Sequence, residues 1–129
     1  MLTYESRSDA APGDVWPLMA EPALWPCWAP HIRGAWGLGA PEVQVGRRGL
    51  VRVLGAPVVP ARITGKRAGR MWAWQVGPVE LTHRVSPVGD GSTVAIDIQA
   101  PGPVEAALRA TYGPLVQLLV RRLSRVAER

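Results

Sequence analysis

The chain has no phenylalanine, one cysteine, one lysine and two histidines in 129 residues. Each scarcity closes off a class of chemistry. A lone Cys27 excludes an intramolecular disulfide and fits a reducing compartment. We read it as a small, half-buried apolar residue beside Trp28 rather than as a reactive thiol. His31 and His83 lie far apart in sequence and, with a single cysteine, offer no metal-ligand spacing. There is no G-x-S-x-G, no H-E-x-x-H and no P-loop, and the order Gly34, Gly37, Gly39 does not match a dinucleotide fingerprint. No metal, nucleotide or other cofactor is expected. No apolar run approaches the ~18 residues of a membrane span. The first residues, MLTYESRSDAAP, have neither a basic nor an apolar signal-peptide region, so a cytoplasmic location is expected.

Lysine and arginine number 15 against 10 acids, for a net charge of +5, and all but one of the basic residues are arginine. Such a balance raises the question of nucleic acid, because phosphate neutralisation drives that affinity. The arginines are dispersed, however. Arg84 lies near Glu80 and Arg109 near Glu105, while Arg121, Arg122, Arg125 and Arg129 end the chain, where cations suit a helix C-terminus. The cluster Arg47, Arg48, Lys66, Arg67 and Arg70 lacks the interleaved aromatics of a single-strand binder. No nucleic-acid partner is expected.

Hydrophobic residues make up 47% and charged residues 19%, which describes a globular chain. Without repeat, linker or low-complexity tail, residues 1–129 read as one domain, large enough to bury roughly two thirds of its unfolded surface. Between Val15 and Ile32 the chain carries Trp16, Trp25 and Trp28 among four prolines. Tryptophan buries much apolar surface and usually needs a partner for its ring N–H. Three of them, in a stretch too proline-rich for one long helix, suggest a wall around a pocket.

Thr3 to Ser8 reads as a first strand, and Pro12 and Asp14 open a short helix with its body at Val15 to Ala20. Glu21-Pro22 starts a second, which Pro26 ends. From Ile32 onward the period falls to two, and turn residues recur at Gly39-Ala40-Pro41, Gly55-Ala56-Pro57, Gly65 to Gly69, Gly77-Pro78 and Gly89-Asp90-Gly91. This spacing predicts an antiparallel meander with strands over 31–38, 43–54, 57–66, 70–76, 79–86 and 92–100. Pro103 then opens a long helix reaching about Glu128, with Val104, Leu108, Leu115, Leu119 and Val126 as its apolar stripe. Leu108, Leu115 and Leu119 are expected to face the sheet. Gly113-Pro114 should kink this helix, since Pro114 cannot donate to Ala110.

This order, together with Ala11-Pro12, Val15-Trp16, Trp25-Pro26, Trp28-Ala29-Pro30, Val45-Gly46, Trp72 to Trp74, His83, Asp90-Gly91-Ser92-Thr93 and Gly102-Pro103, resembles the START and polyketide-cyclase superfamily, SRPBCC. The resemblance covers the whole chain. It implies an α+β helix-grip fold: a seven-stranded antiparallel sheet curled around a long C-terminal helix, with two short helices after the first strand and a cavity between sheet and helix. Carriers, cyclases, quinone-binding proteins and co-chaperone domains share that fold, so fold alone does not select a function.

Alternation predicts which side chains face inward. Val94, Ile96 and Ile98 share a face, as do Leu81, His83 and Val85, and Trp72, Trp74 and Val76. Val51, Val53, Val59, Ala61 and Ile63 join them, leaving Arg52 and Arg62 outside. His83 is then the inward histidine, either a satisfied core residue or an acid, base or anchor. Tyr112 lies near the kink and reads equally as a packing residue or as a hydroxyl in the cavity. Arg122 falls on the apolar face by helical angle, as an anion anchor or, preferably, snorkelling at the helix end. His31, following Pro30, is expected to be exposed.

The leading expectation is a protein that holds a small, mostly apolar or aromatic molecule, lipid-, polyketide- or quinone-like, between Trp25, Trp28, Trp36, Trp72, Trp74, His83 and Tyr112. A second is a cyclase/aromatase- or dehydratase-like enzyme in which His83 moves a proton and Tyr112 holds an oxyanion. A third is a co-chaperone-like interaction module with a closed core. The cavity discriminates among them: open and polar-ended with His83 beside Tyr112 for the enzyme, open and apolar for the carrier, closed for the adaptor.

Overall fold

The computed structural model describes residues 1–53 and 58–129. Strand β1 (Leu2–Ser8) is followed by α1 (Pro12–Ala20) and a 3-10 helix (Pro22–Cys27). Then come β2 (Ile32–Trp36), β3 (Arg48–Val53), β4 (Val58–Arg67), β5 (Met71–Val76), β6 (Val79–Val88) and β7 (Gly91–Gln99). Helices α2 (Gly102–Thr111) and α3 (Gly113–Val126) complete the chain. The sheet has seven strands in the order β1-β7-β6-β5-β4-β3-β2, with every neighbouring pair antiparallel. This is the α+β helix-grip fold, a meander whose last strand is joined by the first. The expected Gly55-Ala56-Pro57 turn, and the strand ends beside it, lie outside the described residues.

Alternation selects the buried face as expected. Val94, Ile96 and Ile98 on β7, His83 and Val85 on β6, and Trp72 and Trp74 on β5 are buried, while Arg52 and Arg62 are exposed. On the outer face Arg84 donates to both carboxylate oxygens of Asp97, at 2.7 and 3.1 Å. Desolvation would raise the Asp97 pKa, but hydrogen bonds from Arg84 and Thr3 prevail and hold it below the usual carboxylate value.

Three departures have local causes. The strand expected from residue 43 begins only at Arg48, because Val43 N–H donates to Ala20 O and Gln44 N–H to Leu38 O. Those bonds take the segment out of the ladder and bury Leu38 and Val43. Cys27 is exposed rather than half-buried. Residues three apart eclipse one another in a 3-10 helix, so Trp25 and Trp28 turn inward together and Cys27 between them turns out.

The third departure is in the C-terminal helix, which is divided at Tyr112 into α2 and α3, where the kink was expected. The buried stripe of α3 is Val116, Leu119, Val120 and Leu123, and Leu115 is 37% exposed rather than facing the sheet. A stripe counted straight through Pro114 assumes an unbroken helix, and the break shifts the phase after it. Gly113 sits so close to Tyr4 on β1 that a Cβ there would overlap the tyrosine hydroxyl. Further along, Ser8 Oγ donates to Ser124 O at 2.7 Å and Gln117 Nε2 to Glu5 O at 3.1 Å. Helix α3 is thereby fixed along β1, while α2 has no fully buried residue. Arg122 is exposed.

Candidate ligand-binding cavity

Helix α1 ends with four carbonyls that have no partner within the helix. Glu21 N–H takes Pro17 O and Val43 N–H takes Ala20 O. The two between them are taken by tryptophans: Trp28 Nε1 donates to Leu18 O at 2.7 Å, and both Trp25 Nε1 and Trp72 Nε1 donate to Met19 O at 2.9 Å. Three of the expected wall residues are therefore spent on capping α1, and all three are buried in the core.

Trp25, Trp72 and His83 form a stacked column. The Trp25 and Trp72 rings are 5.4 Å apart and 11° from parallel, and Trp72 and His83 are 3.9 Å apart and 8° from parallel. The last contact follows from register, since Trp72 and His83 are directly opposed on β5 and β6. Trp74 meets the column edge-on, 5.3 Å from each tryptophan and 6.0 Å from His83. Burial lowers the His83 pKa to about 4 against the opposing pull of the Trp72 backbone and the Asp97 carboxylate, so the ring is neutral at pH 7. Its Nδ1 is buried without a hydrogen-bond partner.

Beyond this column the inner face of the sheet is not filled. A cavity of about 240 Å³, partly open to solvent, lies between β2 to β6 and the C-terminal half of α2. Val51, Val53, Val59, Ala61, Val76 and Leu81 supply its floor, as alternation predicts, with Ile32 and Val79 at the rim and Leu108 from α2 above. Its lining is almost wholly apolar. Of the seven expected site residues, the structure brings Trp74 and Tyr112 to this space. Trp25, Trp28, Trp72 and His83 lie in the core beside it, and Trp36 stands apart, 50% exposed, with the Arg52 guanidinium 5.6 Å from its ring centre. Trp36 pairs with Leu50 on β3, with its side chain on the outer face, where β2 is the edge strand.

His31 is the residue the sequence reading placed elsewhere. It lines the cavity, and its Nδ1 is buried without a partner. Burial lowers its pKa, and burial raises that of Tyr112, each shift favouring the neutral form. His31 occupies the turn before β2, where no periodicity assigns a face, so only its being one of two histidines could have drawn attention to it. Trp74 Nε1 is likewise buried and unpartnered.

A curled antiparallel sheet, helices closing its inner face and an apolar cavity between them define a helix-grip cavity protein. The chain belongs to the family described as polyketide cyclase / dehydrase and lipid transport, whose model matches residues 2–128. No curated protein matches it. Among solved structures it resembles protein MLL2253 of Mesorhizobium loti, at 12% identity and TM-score 0.79, covering 97% of this chain and 94% of that one. It also resembles protein BH1534 of Bacillus halodurans, at 14% identity and TM-score 0.72, covering 98% and 95%. DynU16, from the dynemicin biosynthetic locus, is similar at 16% identity and TM-score 0.69, covering 95% of this chain and 46% of that one. No helix among the described residues is long and apolar enough to cross a membrane.

Proposed function

We propose that this chain binds a small, mostly apolar ring molecule in the cavity between the sheet and α2. The observation that carries the reading is the cavity itself, about 240 Å³ and apolar on nearly all sides. Buried apolar space is costly to leave unfilled, and a cavity of about 150 Å³ accommodates benzene. The present volume suits one ring or two fused rings, and is small for a long acyl chain or a four-ring system. The family's description, which couples cyclase and dehydrase activity with lipid transport, is consistent with an apolar occupant.

The carrier reading is preferred over the cyclase reading because His83 is stacked on Trp72 in the core and is not among the residues lining the cavity. The adaptor reading, which requires a closed core, is disfavoured by the open space. Native mass spectrometry of the purified protein tests the proposal: a co-purified small molecule is expected on the wild type and not on Ala61→Phe, which fills the floor of the cavity. Equal retention by a folded Ala61→Phe would move the ligand elsewhere, and failure of the wild type to bind any ring compound would reject the reading.

A further inference from the structure

We propose that the outer face of β2 to β4 docks an extended acidic segment of a partner protein, one that carries carboxylates at positions i and i+4 around an apolar residue at i+2. Cross-strand register gathers the side chains of this face into three rows. Trp36, Leu50 and Pro60 form the middle row, with Arg52 and Val58 on one side of it and Arg48 and Arg62 on the other. All of them are exposed, so a continuous apolar strip is bracketed by guanidinium groups. A contiguous exposed apolar patch with a polar rim is the usual mark of an interaction site.

Two features of this face work against the stability of the chain itself. Arg48 and Arg62 are directly opposed on β3 and β4, a like-charge pair that disfavours strand pairing. Neither they nor Arg52 has a carboxylate partner among the described residues, and along the ladder from Arg62 the first outward carboxylate is Glu80, beyond Gln75. The second feature is a glycine inside a strand, which weakens it. The Trp36 ring lies over Gly34, where a Cβ would come within 2.9 Å of it, and the Arg52 guanidinium is 5.6 Å from the ring centre. Gly34 thus seats a half-exposed indole beneath an arginine, and these are the two residue types that most often dominate protein–protein binding energy.

Spacing defines the partner. Arg48 and Arg52 are four residues apart on β3, about 13 Å at ~3.3 Å per residue, with Leu50 midway. An extended segment running along β3 has the same spacing. Its alternate side chains bring a carboxylate to Arg48 and Arg62, an apolar group to the middle row and a second carboxylate to Arg52. A lipid surface fits less well, because the arginines outreach Leu50 and Pro60 and the Trp36 ring lies over Gly34, so little apolar surface projects past the charges. A second copy of this face would set arginine against arginine.

The test is an NMR titration of the 15N-labelled chain at pH 7 and low ionic strength with two capped peptides. One is Gly-Asp-Thr-Leu-Thr-Asp-Gly, and the other has asparagine in place of both aspartates. We expect the acidic peptide to shift the Trp36 indole N–H and the amides of β2 to β4, and to bind about tenfold or more tightly than its neutral counterpart, the sum of two exposed ion-pair contacts. High salt should narrow that difference. Replacing both arginines of the opposed pair, Arg48→Gln with Arg62→Gln, should bring the acidic peptide toward the neutral one, whereas Trp36→Ser should weaken both peptides. Equal affinity for the two peptides, shifts confined to another face, or unchanged selectivity in the double-arginine variant overturns the proposal. Binding of neither peptide overturns it as well, and sedimentation of the protein with phosphatidylglycerol vesicles that is lost in Trp36→Ser would then assign the face to a membrane.

Discussion

Tryptophan 28 and tryptophan 36 are the same residue type with opposite assignments, and the difference lies in the ring nitrogen. Trp28 Nε1 closes off Leu18 O at the end of α1, whereas Trp36 is half exposed under Arg52. Trp28→Phe should therefore cost about 2–4 kcal/mol, combining an unpaired carbonyl with lost ring volume, and Trp36→Phe less than about 0.5 kcal/mol, as a surface change does. Urea denaturation of the two variants measures both. His83 supplies a pH dependence whose sign follows from its lowered pKa of about 4. Above pH ~6.5 the ring is neutral whether the chain is folded or unfolded, and stability is full. As pH falls below that, the unfolded chain takes up a proton that the folded one refuses, and stability declines until about pH 4. The loss from this one group is about 3 kcal/mol, and it should be absent from His83→Phe, which keeps a stacked ring without a titrating group. Parallel pH profiles for the two proteins would show that His83 is not the group responsible.

Helix α3 shows how a proline alters the reading of an apolar stripe. Leu108 and Leu119 turn inward as expected, but after Pro114 Leu119 is joined by Val116, Val120 and Leu123 instead of Leu115. Leu123→Ala should lose about 2–5 kcal/mol as a core cavity, and Leu115→Ala less than about 1 kcal/mol, measured by chemical unfolding. The approach of Gly113 to Tyr4 gives a paired test of how α3 sits on β1. Gly113→Ala should destabilise by about 1–3 kcal/mol through overpacking despite alanine's better helix propensity, and adding Tyr4→Phe should recover part of that loss by removing the overlapped oxygen. Additive effects of the two substitutions would mean that the two residues do not press on each other.

The division of labour between the two C-terminal helices shapes the molecule. Helix α3 is hydrogen-bonded to β1 through Ser8 and Glu5, whereas α2 reaches over the cavity and buries no residue fully. The sheet and α3 are tied together by hydrogen bonds, and the roof buries little. A ligand that binds only the folded chain stabilises it by mass action, so a ring compound present at about 100 times its Kd should add about 2.7 kcal/mol and raise the melting temperature by roughly 10 °C. Ala61→Phe should abolish that shift. A shift of equal size in this variant would place binding outside the cavity.

Much of this architecture is legible from residue order. Alternation across β5, β6 and β7 assigns Trp72, Trp74, His83, Val85, Val94 and Ile96 to the inner face, because adjacent positions on a strand must point to opposite sides. The turn residues, the helix break beside Pro114, and the element order that resembles a helix-grip fold are local signals of the same kind, whereas Pro26, expected to end the second short helix, lies inside the 3-10 helix that runs to Cys27. What local signals cannot allocate is hydrogen-bonding capacity between distant segments. Trp25 and Trp72 meet at one carbonyl, Met19 O, from 6 and 53 residues away, and only the folded chain determines that they, not Trp74, reach it. His31 enters the cavity from a turn, where no period assigns a face. The inward residues are thus set by strand and helix geometry written along the chain. Which of them become core and which remain to meet a ligand is set by tertiary structure, because buried polar atoms must find partners wherever the fold brings them.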